Sequence, residues 1–499
     1  MREEQRERAI KAFAEFLTTP METILERHTN ASAELGVLAL FHSVVNTVPA
    51  YRAFLAEHNI DPLSIQTYED FQKLPPITKE NYLKLHSLAE LCRNGELSSC
   101  DTIAVSSGST GKPTFWPRFF ADELQIATRF EQIFHDSFYA DTRRTLAVIC
   151  FTLGTWVGGI FTMNCCRYLA SKGYPITVIS PGNNKEEIFR VVQELGEQFE
   201  QVVLLGYPPF IKDVIDSGIA RGVEWQKYHL KMVFAGEVFS EEWRNLVGER
   251  VSSTNFCYDS AALYGTADAG VLGNETPLSI CIRRFLANNP NAARALFGES
   301  RLPTLVQYDP FSRFFEVREG TLLFSGDNGI PLIRYNILDT GGIISYDEML
   351  NFLSEWGFDP LTDLSSDRGI HQLPFVYVFG RSNFTVSYFG ANIYPENVTV
   401  GLEQAVIKDW VTGKFVLQVK EDADRNKFLS AIVELAPGVE GSEGKREAIA
   451  SNILFQLLRL NSEFANYVPP AYQMLQVSLA PTGDPEYFPI GVKHRYTRK

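Results

Sequence analysis

Four apolar runs decide the fold class: Leu146–Leu153 (LAVICFTL), Ile176–Ser180 (ITVIS), Val202–Gly206 (VVLLG) and Met232–Ala235 (MVFA). Each is too short for a helix and carries almost no polar residue. Helical spacing separates them. Ile188, Val191, Val192, Leu195 and Phe199 recur at intervals of three and four, as do Phe210, Ile211, Val214 and Ile215. Short apolar strands alternating with amphipathic helices predict parallel βαβ units, with both sheet faces covered.

Outward from this region the pattern changes. Residues 1–100 read as mostly helical, with turns at Asn59-Ile60-Asp61-Pro62 and Pro75-Pro76. Downstream, Thr321–Ser325 and Ile330–Tyr335 flank Gly326-Asp327-Asn328-Gly329, which predicts a hairpin and a smaller antiparallel sheet beside the parallel one. After about Gly380 a separate pattern begins. It has strands at Phe415–Val419 and Leu429–Leu435, a helix at Glu443–Leu460 and a strand at Tyr472–Leu479. The expected architecture is α/β. A large N-terminal body over 1–380 holds parallel α/β sheets and the antiparallel subdomain. A small mobile α+β domain covers 381–499.

Composition narrows the function. The chain has 499 residues, with 46 Lys+Arg against 60 Asp+Glu and a formal net charge of −14. That balance argues against nucleic-acid binding. No stretch of 18 residues is free of charge and apolar throughout, so no transmembrane helix is expected. The opening MREEQRERAIKAF reads as a charged amphipathic helix and not a signal peptide. The seven cysteines form no CxxC pair, which supports neither a zinc cluster nor a disulfide framework. A reduced, cytoplasmic protein is expected, as monomer or homodimer. The eight histidines stand apart from one another and suggest no catalytic arrangement.

One segment carries chemistry: Ser106-Ser107-Gly108-Ser109-Thr110-Gly111-Lys112-Pro113-Thr114. Small residues let the backbone curl, and its amides and hydroxyls can cradle phosphate oxygens, with Lys112 as a compact cation. It is not a Walker A loop. Only two residues separate Gly108 from Gly111-Lys112, and Pro113 follows the lysine. A flexible Ser/Gly linker is the plain alternative.

The run SSGSTGKP resembles the phosphate-loop signature of the adenylate-forming superfamily, which includes acyl-CoA synthetases, adenylation domains and luciferases. Further pieces follow in that family's order. Phe234-Ala235-Gly236-Glu237 resembles the loop that packs on adenine. Tyr264-Gly265-Thr266-Ala267-Asp268 is similar to Tyr-Gly-x-Thr-Glu, whose tyrosine stacks on adenine and whose acid holds Mg²⁺. Ala267 and Asp268 depart from it. Arg334-Tyr335-Asn336-Ile337-Leu338-Asp339 resembles Arg-Tyr-x-x-Gly-Asp, whose Asp accepts the ribose hydroxyls; Leu338 replaces the glycine. Gly380-Arg381-Ser382-Asn383 is similar to the interdomain hinge, with Arg381 toward the phosphates and Asn383 as hinge residue. Lys493, shortly after Gly491, is the candidate for the catalytic C-terminal lysine, and a solvated basic tail is the alternative. VLLGYPPFIKDVI and YEDFQKLPPITKENY resemble the phenylacetate-CoA ligase branch.

The resemblance implies attack of a carboxylate on the α-phosphorus of ATP, release of pyrophosphate and an acyl-adenylate. Lys493, Lys112 and Arg381 would be catalytic. The nucleotide would contact Ser106 to Lys112, Gly236, Glu237, Tyr264, Gly265, Thr266, Asp339 and Arg381, with Mg²⁺ at Asp268. Coenzyme A is the implied acceptor; a carrier-protein thiol or an amine would share the first half-reaction. A small carboxylic acid would sit by Trp156, Tyr207 and Phe234, for which ordinary core packing is the competing reading. A degenerate nucleotide-binding scaffold without turnover is the alternative of another class, motivated by the departures at Ala267, Asp268, Leu338 and Asn383 and by Lys493, one residue later than a direct Gly-Lys match.

Overall fold

The computed structural model describes residues 2–106, 114–155, 157–236, 238–298, 302–366, 368–381, 386–393, 395–402, 404–436, 438–488 and 496–497. The chain divides into two compact units. The first comprises Met1–Val105, Phe115–Gly206 and Val214–Gly380; the second comprises Ser106–Thr114, Tyr207–Asp213 and Arg381–Lys499.

The first unit is built on one sheet of eleven strands. Strands Ile176–Ile179, Thr145–Ile149, Gln201–Gly206, Lys231–Ala235 and Ser260–Thr266 lie side by side and parallel. Every residue of Thr145–Ile149 and of Gln201–Gly206 is buried, which is why these runs are apolar without alternation. Helices connect them. In Lys185–Leu195 the residues Ile188, Val191 and Val192 face inward, and Asn184 caps the first turn by accepting from the Glu187 amide at 3.3 Å. Burying each such side chain is worth about 1.5–3 kcal/mol relative to exposure.

The hairpin at Asp327–Asn328 forms as the turn residues dictate: Thr321–Gly326 pairs antiparallel with Leu332–Ile344. Its strands do not close into a sheet of their own. They continue the same sheet through Phe375–Arg381, Thr304–Gln307 and Gly270–Asn274. Pairing them onto the parallel part satisfies an edge that would otherwise be open. The N-terminal helices cover this antiparallel part. Phe41, Val44, Tyr51, Phe54, Phe71 and Tyr82 join Phe324, Leu332 and Tyr335 in one buried cluster. No single helix among the described residues is long and apolar enough to cross a membrane.

In the second unit, Val411–Glu421 pairs antiparallel with Lys427–Leu435, which pairs parallel with Gln476–Ala480. Helix Glu443–Leu460 supplies the crossover between the parallel strands. A small hairpin, Val386–Tyr388 with Ala391–Ile393, turns at Gly390, whose φ of +82° suits glycine.

Candidate functional site

In an open sheet of parallel strands, ligands bind beyond the carboxyl ends of the strands. Two motifs meet there. Strand Ser260–Thr266 ends in Tyr264-Gly265-Thr266, and strand Leu332–Ile344 carries Asp339. The Tyr264 hydroxyl donates to Asp339 Oδ2 at 2.7 Å, with the two residues only 9% and 5% exposed. The parallel register sets Ala235 opposite Leu263, so Gly236 follows at the level of Tyr264. Gly236 has φ +89°, a turn that side chains resist.

The local sequence explains this geometry. A side chain at Gly265 would place its Cβ 2.5 Å from the Gly270 carbonyl oxygen, so the hairpin can close only on glycine. Thr266 Oγ1 accepts from the Ala269 amide at 3.1 Å and holds the turn. On the other strand, Leu338 occupies a left-handed conformation at φ +66°, and its amide donates to Asn336 Oδ1 at 2.8 Å. The glycine of the resembling motif would fit this φ without strain. Arg334, from the same motif, is scaffold. Its Nε donates to Glu316 Oε2 at 2.9 Å, and its Nη1 reaches the carbonyls of Gln72 and Leu74.

That anchorage brings in a residue that motif reasoning missed. The Ile77 amide donates to the Arg334 carbonyl at 3.2 Å, and the Asn336 amide donates to the Ile77 carbonyl at 2.9 Å. Two residues on, Lys79 Nζ stands 3.2 Å from Asp268 Oδ2, and the Tyr335 hydroxyl donates to the same oxygen at 2.5 Å. Asp268 is 3% exposed. A carboxylate oxygen that takes a tyrosine hydroxyl beside an ammonium does not present the donor set a divalent cation requires. These residues therefore do not fit Mg²⁺ at Asp268.

The remaining expected residues divide. Ser106 and Arg381 are described in their main chain, as the last residues of Thr102–Ser106 and Phe375–Arg381. Phe234 is 1% exposed, with its ring centroid 5.2 Å from those of both Phe239 and Trp243, in edge-on contact. That is core packing. Tyr207 belongs to the second unit, where its ring lies 5.3 Å from Tyr467 and fills the space a Cβ on Gly390 would need. Ser107, Gly108, Ser109, Thr110, Gly111, Lys112, Trp156, Glu237, Asn383 and Lys493 lie outside the described residues.

No protein-family model matches the chain. Over 325 residues it is 24% identical to the phenylacetate-coenzyme A ligase of Thermus thermophilus. That match spans 63% of this chain and 66% of the relative, just under two thirds of its length. Among solved structures, 2-hydroxyisobutyryl-CoA ligase in complex with 2-HIB-AMP and CoA, in the thioesterification state, superposes with a TM-score of 0.64. It is 14% identical, over 97% of this chain and 91% of that one. Both likenesses support the resemblance to the adenylate-forming superfamily, near its phenylacetate-CoA ligase branch. The same ligase in the postadenylation state, with R3-HIB-AMP, gives a TM-score of 0.52 at 14% identity, over 94% of this chain and 87% of that one. At such identity the likeness to the solved structures is one of fold alone.

Proposed function

We propose that the protein activates a small carboxylic acid with ATP, releases pyrophosphate and passes the acyl group to a thiol, with coenzyme A as acceptor. The observation that carries this reading is the 2.7 Å contact between Tyr264 and Asp339. Two motifs 75 residues apart in sequence, each resembling a nucleotide contact, meet through this bond near the carboxyl end of strand Ser260–Thr266.

In this reading the substrate carboxylate forms a bond to the α-phosphorus while the bond to pyrophosphate breaks. Negative charge stays on phosphate oxygens throughout, so the protein's task is positioning and positive potential. Asp339 accepts the ribose hydroxyls and Tyr264 flanks the base. Lys112, Arg381 and Lys493 supply charge toward the phosphates and the acid. The CoA thiolate then attacks the acyl carbon, and AMP leaves. No protein nucleophile takes part.

The second reading is a nucleotide-binding protein without turnover. The Lys79–Asp268–Tyr335 contact favours it, because it occupies the carboxylate otherwise expected to serve the phosphates. Pyrophosphate release measured over a panel of acids, with and without CoA, separates the two. Acid-dependent release that yields a thioester supports the ligase. ATP binding with no release on any acid supports the scaffold.

A further inference from the structure

Arg118 is among the most deeply buried charged residues of the chain, 2% exposed, and nothing above gives it a role. It ends strand Thr114–Arg118, which pairs with Thr102–Ser106 in a two-stranded sheet.

Its partners are unusual for a buried guanidinium. The short hydrogen bond runs from Nη2 to the main-chain carbonyl of Ala267, at 2.6 Å. The nearest carboxylate in an ion pair, Asp122, is 3.8 Å from Nη1, and Asp122 is itself engaged by Arg313 Nη2 at 2.8 Å. Arg118 Nε has no hydrogen-bond partner among the described residues. A buried cation whose paired carboxylate stands at 3.8 Å and is shared with Arg313 is costly, and an apolar side chain of equal volume would ordinarily be more stable there. What the arginine does achieve is to fix one peptide group. The Ala267 carbonyl precedes Asp268, in the turn between Tyr264 and the Ala269 amide.

The main chain beside it is closely packed. A Cβ at Gly329 would fall 1.9 Å from the Pro117 carbonyl oxygen and 2.8 Å from the Arg118 amide, so Asn328-Gly329 clamps the strand from outside. Arg118 is thus held at its own backbone and reaches out to hold another.

We propose that Arg118 is a positioning residue for the nucleotide side of the site. It locks the Tyr264–Asp268 turn to strand Thr114–Arg118, so that Tyr264 keeps one spacing to Asp339 and to the base it would flank. The proposal rests on the adenylation reading for its kinetic consequence but not for its structural one. Arg118→Met keeps volume and removes the donor; Arg118→Lys keeps the charge and one donor. Amide hydrogen exchange on the full chain gives the first readout. Arg118→Met should exchange faster at residues 264–270, with the parallel strands 145–149 and 201–206 unchanged, and Arg118→Lys should restore part of the protection. Unchanged exchange at 264–270 in Arg118→Met overturns the proposal whatever the activity, and so does a loss of protection spread over the whole first unit. Pyrophosphate exchange gives the second readout. The KM for ATP should rise about tenfold, the effect of losing one hydrogen bond to a charged group, while the KM for the acid stays within about twofold. Equal rises in both overturn it. If wild type shows local exchange protection but no turnover on any acid, the clamp stands and the ligase reading fails.

Discussion

Removing the Tyr264 hydroxyl probes the junction of the two motifs. Tyr264→Phe keeps the ring, whose centroid lies 6.4 Å from that of Phe315 at an interplanar angle of 22°, so lost packing is small. It deletes the donor to Asp339 Oδ2 at 2.7 Å. With both residues under a tenth exposed, this is a charge-assisted bond shielded from water, worth about 1.5–3 kcal/mol. Asp339→Asn keeps the shape and removes the charge, leaving a neutral bond of roughly half the strength. The two substitutions together should show a coupling of about 1–2 kcal/mol. Urea unfolding of wild type, both single variants and the double variant, followed by tryptophan fluorescence, reads it directly, provided the slopes agree. A coupling within the roughly 0.3–0.5 kcal/mol of independent sites would refute the contact.

Leu338→Gly should lie within about 1 kcal/mol of wild type, because relief of left-handed strain offsets lost burial; Leu323→Gly, at a fully buried position, should cost at least the roughly 2–5 kcal/mol of a buried Leu→Ala change. Urea midpoints check both. Gly329→Ala should lower Tm by several degrees, as its Cβ meets main chain that cannot yield, at a cost of about 1–3 kcal/mol. Stability should also depend on pH through a chain of groups centred on the buried Asp136. Asp136 accepts from His135 Nδ1 and His371 Nε2, each at 2.8 Å, and His135 Nε2 also faces Glu22 Oε1 at 3.3 Å. Burial alone lowers the His135 pKa, but the bond to Asp136 and the flanking carboxylates raise it overall, so its contribution is full below about pH 6.5 and is lost as pH rises through the folded value. Burial raises the Asp136 pKa, yet both histidines hold it below normal, so its contribution is present above about pH 4 and lost as pH falls. Tm should peak between these limits, and His135→Asn should flatten the alkaline side. An unchanged profile would contradict the arrangement.

The parallel half of the fold was legible because strands buried on both faces leave continuous apolar runs, and helix Lys185–Leu195 shows its periodicity and cap in plain residues. The union of the antiparallel strands with that sheet was not legible. Thr304–Gln307, the link to Gly270–Asn274, is four residues long and has no pattern of its own. The site divides in the same way. Tyr264 and Asp339 were found through motifs. Lys79 and Arg118 were not, because Lys79 is placed by the main-chain bonds of Ile77, and Arg118 reaches across with its own side chain to the Ala267 carbonyl; neither contact leaves a motif. The acidic sum of −14 hid them as well: two local cations, Arg118 buried and Lys79 half-buried, leave no trace in net charge.

Pyrophosphate exchange into ATP tests the central claim most directly, with wild type and Asp339→Ala compared over a library of small carboxylic acids. Exchange should require one class of acid and fall at least a hundredfold in Asp339→Ala, an effect of about 2.7 kcal/mol or more on the nucleotide-bound transition state. Exchange that no acid supports, or that survives the loss of Asp339, would contradict that claim.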